Sequence, residues 1–344
     1  MSHRYFLRLG AVHLPFSRRF IIVTAALAGV MVLLSGAALC LGTADTSPMA
    51  ILRWLLSPVT QSDAETDALM QLRAPRVIVA LLGGAMVAAS GYLLQVVSGN
   101  GLADPGLIGI SPGVSVSILL GSMLFGIPAE WLAATGLIGG LMTGALVLAL
   151  AFNLRAANGL ILIGLAVSVT LGALIEIVMV SGGITQFSRY ITWSHGSLTA
   201  VSFADAGRLA QWAAALGALL VAAPRLMAPL MLGTEQACAI GAAPRWSRPL
   251  LVLLATALVA PIVSLTGPIA FVGLIAAHTA RRLVADRPGE TLPVAMLIGA
   301  LLLLLADIAG RTLFLPVIIP AGLIVSIVGV IGFLAFAKAT AKQT

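Results

Sequence analysis

Charge is what this sequence has least of. Only 9% of its 344 residues are charged, while 60% are hydrophobic. A water-soluble domain carries about 25% charged residues, so there is not enough charge here to coat a surface facing water. Cysteine is almost absent: Cys40 and Cys238 stand alone, with neither a disulfide framework nor metal-ligand spacing around them. The four histidines (His3, His13, His195, His278) are far apart, and no H-E-x-x-H is present. These absences exclude the metalloprotease and haem-ligand patterns. No G-x-x-x-x-G-K-[ST] occurs, which excludes a nucleotide held in a Walker loop. A membrane enzyme lacks the convergent acid/base pair it would need. The net charge of +7 is spread over short connections rather than gathered in a patch, so it does not point to nucleic acid.

What the chain does have is long apolar runs. A membrane helix needs about 20 mostly apolar residues. The uncharged stretches fit: Phe20–Ala44, Val77–Ala103, Pro105–Ala129, Trp131–Leu154, Ala156–Ile175, Leu209–Pro224, Pro249–Ala280, Thr291–Ala306 and Thr312–Ala337. The alternation of a membrane β-barrel is missing. Pro249–Ala280 is too long for one crossing and contains Pro261 and the breaker pair Gly267-Pro268. It is therefore read as two short crossings joined near Thr266-Gly267. The expectation is an all-α polytopic membrane protein of ten helices with both termini in the cytoplasm. Thirteen of the 19 basic residues then fall inside and six outside, as the positive-inside rule requires. The arginine-rich start resembles a signal peptide, but its apolar run is too long and no A-x-A site closes it, so Phe20–Gly42 reads as a retained first helix. Residues 1–344 are expected to form one transmembrane domain, with 1–19 as a cytoplasmic segment and 225–248 as a long cytoplasmic loop. Thr43–Leu72 and Ser181–Ala204 are the long outer connections.

A few polar and small residues stand out against this background. Gly136, Gly140 and Gly144 form a flat stripe suited to close helix packing, and Gly84 and Ala88 begin another that Tyr92 ends. Glu176 and Asp307 sit near the ends of their spans. Ionisable groups at membrane depth are functional candidates, although an i,i+4 ion pair with Arg311 is the simpler reading of Asp307. A lone residue such as His278 is more often a boundary residue than a ligand. The scarcity of mid-membrane acids counts against an ion-coupled secondary transporter. Arg73-Ala74-Pro75-Arg76 is read as the outer start of the second span, with Pro75 setting the first turn. The two arginines either snorkel at the interface or capture carboxylates of a soluble partner. Asn100–Ser111 is a turn-rich inner hairpin. Leu232–Gly241 reads as a short helix between glycines, capped by Gly233 or Thr234. It lies either on lipid or against a partner protein.

Five stretches together resemble a known family: RAPRVIVALLGGAMVAASGYLLQ, NGLADPGLIGISPG, LGTEQACAIG, GPIAFVGLIAAHTARRL and LLLLLADIAGRTL. In identity, order and spacing they are similar to the FecCD-type permeases of type II ABC importers, over about Leu72 to Phe333. The chain departs from the family pattern at Asn100-Gly101, Ala277-His278, Ile318 and Gly329–Gly332.

The resemblance implies a non-enzymatic permease subunit of a bacterial inner membrane. It implies a second permease, identical or related, and two ATPase subunits that carry ATP and Mg, with no cofactor on this chain. It also implies a periplasmic binding protein that delivers an iron–siderophore complex, or alternatively haem or cobalamin. Carried over by position, Arg73, Arg76 and Arg311 resemble binding-protein docking arginines. Gly233, Thr234, Glu235, Ala237 and Gly241 map to the ATPase coupling loop, and Asn100, Leu102, Ala157 and Asn158 to a cytoplasmic gate.

Overall fold

The structure is a computed structural model. It describes every residue except 1–3, 10–11, 43–45, 57–63, 107, 155–158, 182–189, 192 and 342–344. Among the described residues the chain is helical apart from one hairpin. The helices are α1 (Arg18–Cys40), α2 (Pro48–Leu56), α3 (Ala64–Ser98), α4 (Ile110–Met123), α5 (Leu132–Leu154) and α6 (Gly159–Ser181). They continue with α7 (Phe203–Leu230), α8 (Thr234–Ala239), α9 (Pro244–Thr266), α10 (Val272–Leu283), α11 (Pro288–Thr312) and α12 (Ala321–Ala341). Seven helices are long and apolar enough to cross a membrane, and two shorter apolar helices lie at Ile110–Met123 and Ala321–Gly332.

The hairpin departs from the all-α expectation. Strands β1 (Arg4–Leu9) and β2 (Val12–Ser17) pair antiparallel in the segment before α1. Their sequences, RYFLRL and VHLPFS, are rich in aromatic and apolar strand formers, and Pro15 is tolerated because both strands of a lone hairpin are edges.

The break expected near Thr266-Gly267 is where α9 ends. Helix α9 runs unbroken through Pro261, stops at Thr266 and is closed by Gly267 at φ 82°. A Cβ at Gly267 would collide with the Trp193 carbonyl, so only glycine fits this turn. Five residues after Gly267, α10 begins at Val272, preceded by Phe271 in the left-handed region (φ 67°). At about 1.5 Å per residue, the 12 residues of α10 cover about 18 Å, roughly half of an apolar core about 30 Å thick.

Helix α3 is the axis of the bundle. Its 35 residues run for about 52 Å, and α11, α9, α7 and α10 pack around it. Lipid tails are as apolar as leucine, so helix association in a membrane rests on packing and close approach. The closest contacts are made where side chains vanish. Gly84 lies on the backbone of Gly299 in α11, and a Cβ on Gly91 would stand 2.6 Å from Gly273 Cα in α10. The Gly136–Gly140–Gly144 stripe of α5 receives Ser264, Thr256 and Val252 of α9 along with Val114 of α4. The start of α3 lies earlier than the sequence suggests. The helix begins at Ala64, so Pro75 is interior and does not open it.

The glycine contacts generate a prediction. Gly91→Val forces α3 and α10 apart and should lower the thermal midpoint of the detergent-solubilised protein by several degrees, overpacking costing about 1–3 kcal/mol. Gly36→Val in α1, where nothing lies within 4 Å, should leave the midpoint within about a degree.

Candidate functional site

Arg73, Arg76 and Arg311 come together at one end of the bundle, lining a pocket of about 210 Å³ with Gly42, Leu72, Thr199 and Ile318. Helix α1 ends beside them. The last carbonyls of a helix have no intrahelical partner, and α1 has no basic residue in its own last turn. The neighbouring helices supply the donors. Arg73 Nη1 donates to Leu39 O (2.8 Å), Cys40 O (3.0 Å) and Thr46 Oγ1 (3.2 Å). Arg311 donates from Nη1 to Leu41 O (2.9 Å) and from Nη2 to Ala38 O. A Cβ at Gly42 would come within 2.6 Å of Arg73 Nη2 and push on the guanidinium.

Arg76 is held differently. Its Nη2 donates to Asp307 Oδ1 at 2.6 Å, and Asp307 Oδ2 lies 3.4 Å from Arg311 Nε. The expected i,i+4 pair of Asp307 and Arg311 is present, but the shorter contact goes to Arg76. Arg73 and Arg311 are each 5% exposed, Asp307 is 1% exposed, and the Arg76 side chain is 12% exposed. Among the described residues, three arginines and one carboxylate share this mostly dry site. The C-terminus of α1 adds roughly half a negative charge.

The opposite end of α1 is fastened as well. Ser17 caps α1 by accepting from Phe20 N (3.1 Å). Its own N–H and Oγ donate to Glu290 Oε1 (3.0 Å) and Oε2 (2.8 Å) in the first turn of α11. Arg19 Nη2 donates to Arg282 O at 2.8 Å. Glu290 is buried and did not stand out in the sequence, where it is one acid in a polar connection.

The turn-rich hairpin joins α3 to α4 at this same end. Asn100 Oδ1 accepts from Leu102 N (2.8 Å), and Asp104 Oδ1 accepts from Gly106 N (2.9 Å). Leu102 is exposed and Asp104 is buried. Ala157 and Asn158, the other two gate candidates, lie outside the described residues. Glu176 is exposed on α6. The short helix α8 follows α7. Gly233 precedes it at φ 92° without a side-chain cap, and Thr234 Oγ1 accepts from Arg248 Nη2 (2.8 Å). Glu235 and Gly241 are exposed, as are Ile240 and Trp246, while Ala237 is buried against its own chain.

A helical bundle with a cation-rich pocket at one end and an exposed short helix at the other has the build of a multi-pass transport permease. The chain matches the FecCD transport family over residues 20–339 and belongs to it. It is 38% identical over 269 residues to the Bacillus subtilis (strain 168) protein named "Probable siderophore transport system permease protein YfhA", covering 76% of this chain and 78% of that one. It is 35% identical over 301 residues to the achromobactin transport system permease protein CbrC of Dickeya dadantii (strain 3937), covering 87% of this chain and 86% of that one. Among solved structures, one described as an inward-facing metal-chelate type ABC transporter aligns with a TM-score of 0.78 at 27% identity. That alignment covers 92% of this chain and 99% of the other. Permeases of this family are transport subunits and not themselves enzymes.

Removing the donors from the end of α1 should loosen it. Arg73→Ala is expected to raise amide hydrogen exchange at residues 39–42 at least tenfold while leaving the middle of α1 unchanged. Equal protection in variant and wild type would show that the arginine does not hold this end.

Proposed function

We propose that this chain is the transmembrane permease subunit of a bacterial inner-membrane ABC importer for iron–siderophore complexes. The observation that carries the reading is the family match along nearly the whole chain. The cargo class comes from the relatives, two of which are named for siderophore and achromobactin transport. Haem and cobalamin are the alternative cargoes.

In this reading α1, α3–α7 and α9–α12 cross the membrane ten times, the pair α9/α10 counting as two, with both termini in the cytoplasm. The arginine end then faces the periplasm and receives a binding protein. The three arginines that line one pocket there support that role, because guanidiniums attract carboxylates and orient the encounter. Helix α8 faces the cytoplasm and meets an ATPase through Glu235, Ile240 and Gly241, with Gly233 and Thr234 starting the helix and Ala237 anchoring it. ATP and Mg are handled by two such ATPase subunits, and no cofactor resides on this chain. The largely exposed faces of α6 and α12 are left for a second permease, identical or related, with the pathway between the two. Asn100 and Leu102, with Ala157 and Asn158, would narrow its cytoplasmic mouth. A wide pathway walled by weak contacts suits a large chelate, since tight binding would slow its release.

The test is the ATPase rate of the complex, purified through this chain into nanodiscs, with the binding protein loaded in turn with ferric siderophores, haem or cobalamin. Stimulation several-fold above basal by the siderophore-loaded form alone is expected. Stimulation by haem or cobalamin instead would change the cargo, and the absence of any co-purifying ATPase would overturn the importer reading. Glu235→Arg should reduce ATPase recovery on this chain by more than half without changing the yield of folded permease.

A further inference from the structure

We infer that Asp307 is an internal competitor for the docking site: its carboxylate occupies Arg76 when no partner is bound and yields that arginine to an acidic residue of the binding protein. The inference rests on the docking role proposed above and deepens it.

The three arginines do not have equal freedom. Arg73 and Arg311 are engaged by backbone carbonyls of α1, and withdrawing either would strand those carbonyls without donors. Arg76 has no such duty. Its ion-pair partner is Asp307 at 2.6 Å, it is the most exposed of the three, and it lines the pocket. Its Nε is buried without a hydrogen bond, as are Asp307 Oδ2 and Arg311 Nε. The Arg76–Asp307 pair is thus single-pronged, whereas a guanidinium can hold a carboxylate through two parallel donors. Once Arg76 turns from Asp307 toward the pocket, an arriving carboxylate can take both donors and gain the two-pronged geometry that Asp307 does not offer. Asp307 remains beside Arg311 Nε at 3.4 Å, so it is not left without a cation when Arg76 turns away.

The consequence is a site tuned to be weaker than three free arginines would be. Asp307 lowers affinity for any carboxylate that does not match the pocket, and it speeds release once cargo has passed. In this role it is a positioning residue that sets docking strength and contacts neither cargo nor partner.

The experiment titrates the fluorescently labelled, siderophore-loaded binding protein of the same transport system onto the full complex in nanodiscs. Wild type, Asp307→Asn, Arg76→Ala and the double variant are compared at low and physiological ionic strength. Competition predicts that Asp307→Asn binds about tenfold tighter and releases more slowly, that Arg76→Ala binds at least tenfold weaker, and that the gain from Asp307→Asn disappears in the double variant. If Arg76→Ala weakens binding but Asp307→Asn binds no tighter than wild type, Asp307 is only a support for the arginines and the inference is overturned while docking stands. If Arg76→Ala leaves affinity unchanged, docking at this cluster is overturned, and the inference with it. Basal ATPase activity and a monodisperse elution profile check assembly. Should Asp307→Asn not assemble, Asp307→Ser, which leaves room for water beside the guanidiniums, takes its place with the same expectations.

Discussion

Backbone polar groups that no helical turn satisfies are the constraint on which the rest of this structure depends. In a bilayer core such groups find no water, and each unsatisfied one costs several kcal/mol. A bundle of unbroken helices would avoid the problem, but this chain's helices do break, and three of the breaks among the described residues show how the problem is solved. At each of these, side chains or distant loops complete the hydrogen bonding. The end of α1 takes Arg73 and Arg311. The gap between α9 and α10 is closed by Ser197 N donating to Thr266 O (2.8 Å) and by Thr266 Oγ1 donating to Ile262 O (2.9 Å) and Gly267 O (3.1 Å). The hairpin after α3 uses the side chains of Asn100 and Asp104, and Ser168 Oγ of α6 donates to Gly106 O at 3.2 Å.

Seen this way, most buried polar side chains of the bundle have structural employment. Ser90 donates to Ala255 O, tying α3 to α9, and Gln95 Nε2 donates to Ala103 O, tying α3 to its own hairpin. A buried polar residue in a membrane protein is a functional candidate by default, yet here that default has to be discounted wherever a stranded carbonyl or amide lies within reach. Arg76 and Asp307 survive the discount. Their contact joins two side chains and closes no backbone, and Arg76 lines the pocket. The contrast among three arginines of one type within one cluster identifies the one free to change partners.

The helices and the break at Gly267 were legible in the sequence because length and apolarity are local properties, and glycine-proline is a local breaker. The meeting of Arg73 and Arg76 with Arg311 became legible only through family resemblance, since 235 residues separate Arg76 from Arg311. What could not be read is what those arginines touch. Periodicity does not reveal that the carbonyls of α1 end between them, nor that Ser17 and Glu290, 273 residues apart, clamp its other end. The onset of α3 was misplaced for a related reason. Glu65, Asp67 and Gln71 look like a polar loop, but they form the first turns of a helix that extends past the apolar core, where polarity costs nothing. Pro75 then marked an apparent start in what is the interior. The hairpin before α1 lacked any signal beyond strand-forming composition.

The two clamps on α1 also determine how the bundle can move. Little of α1 is buried, with Ala38 its one buried residue, so apolar packing alone gives it a weak hold. It is fixed at one end by Glu290 and at the other by Arg311, and both belong to α11. Helix α11 in turn is seated on α3 through the backbone contact of Gly84 with Gly299, which leaves no side chain to slide or repack. Three helices are therefore tied to one another along the bundle, and together they carry all three arginines. Helix α6 packs chiefly on α4 and α5 and exposes most of its length, so displacing it disturbs few contacts. Helices α1, α3 and α11 are thus the firmly held side of the bundle, and α6 the loosely held one.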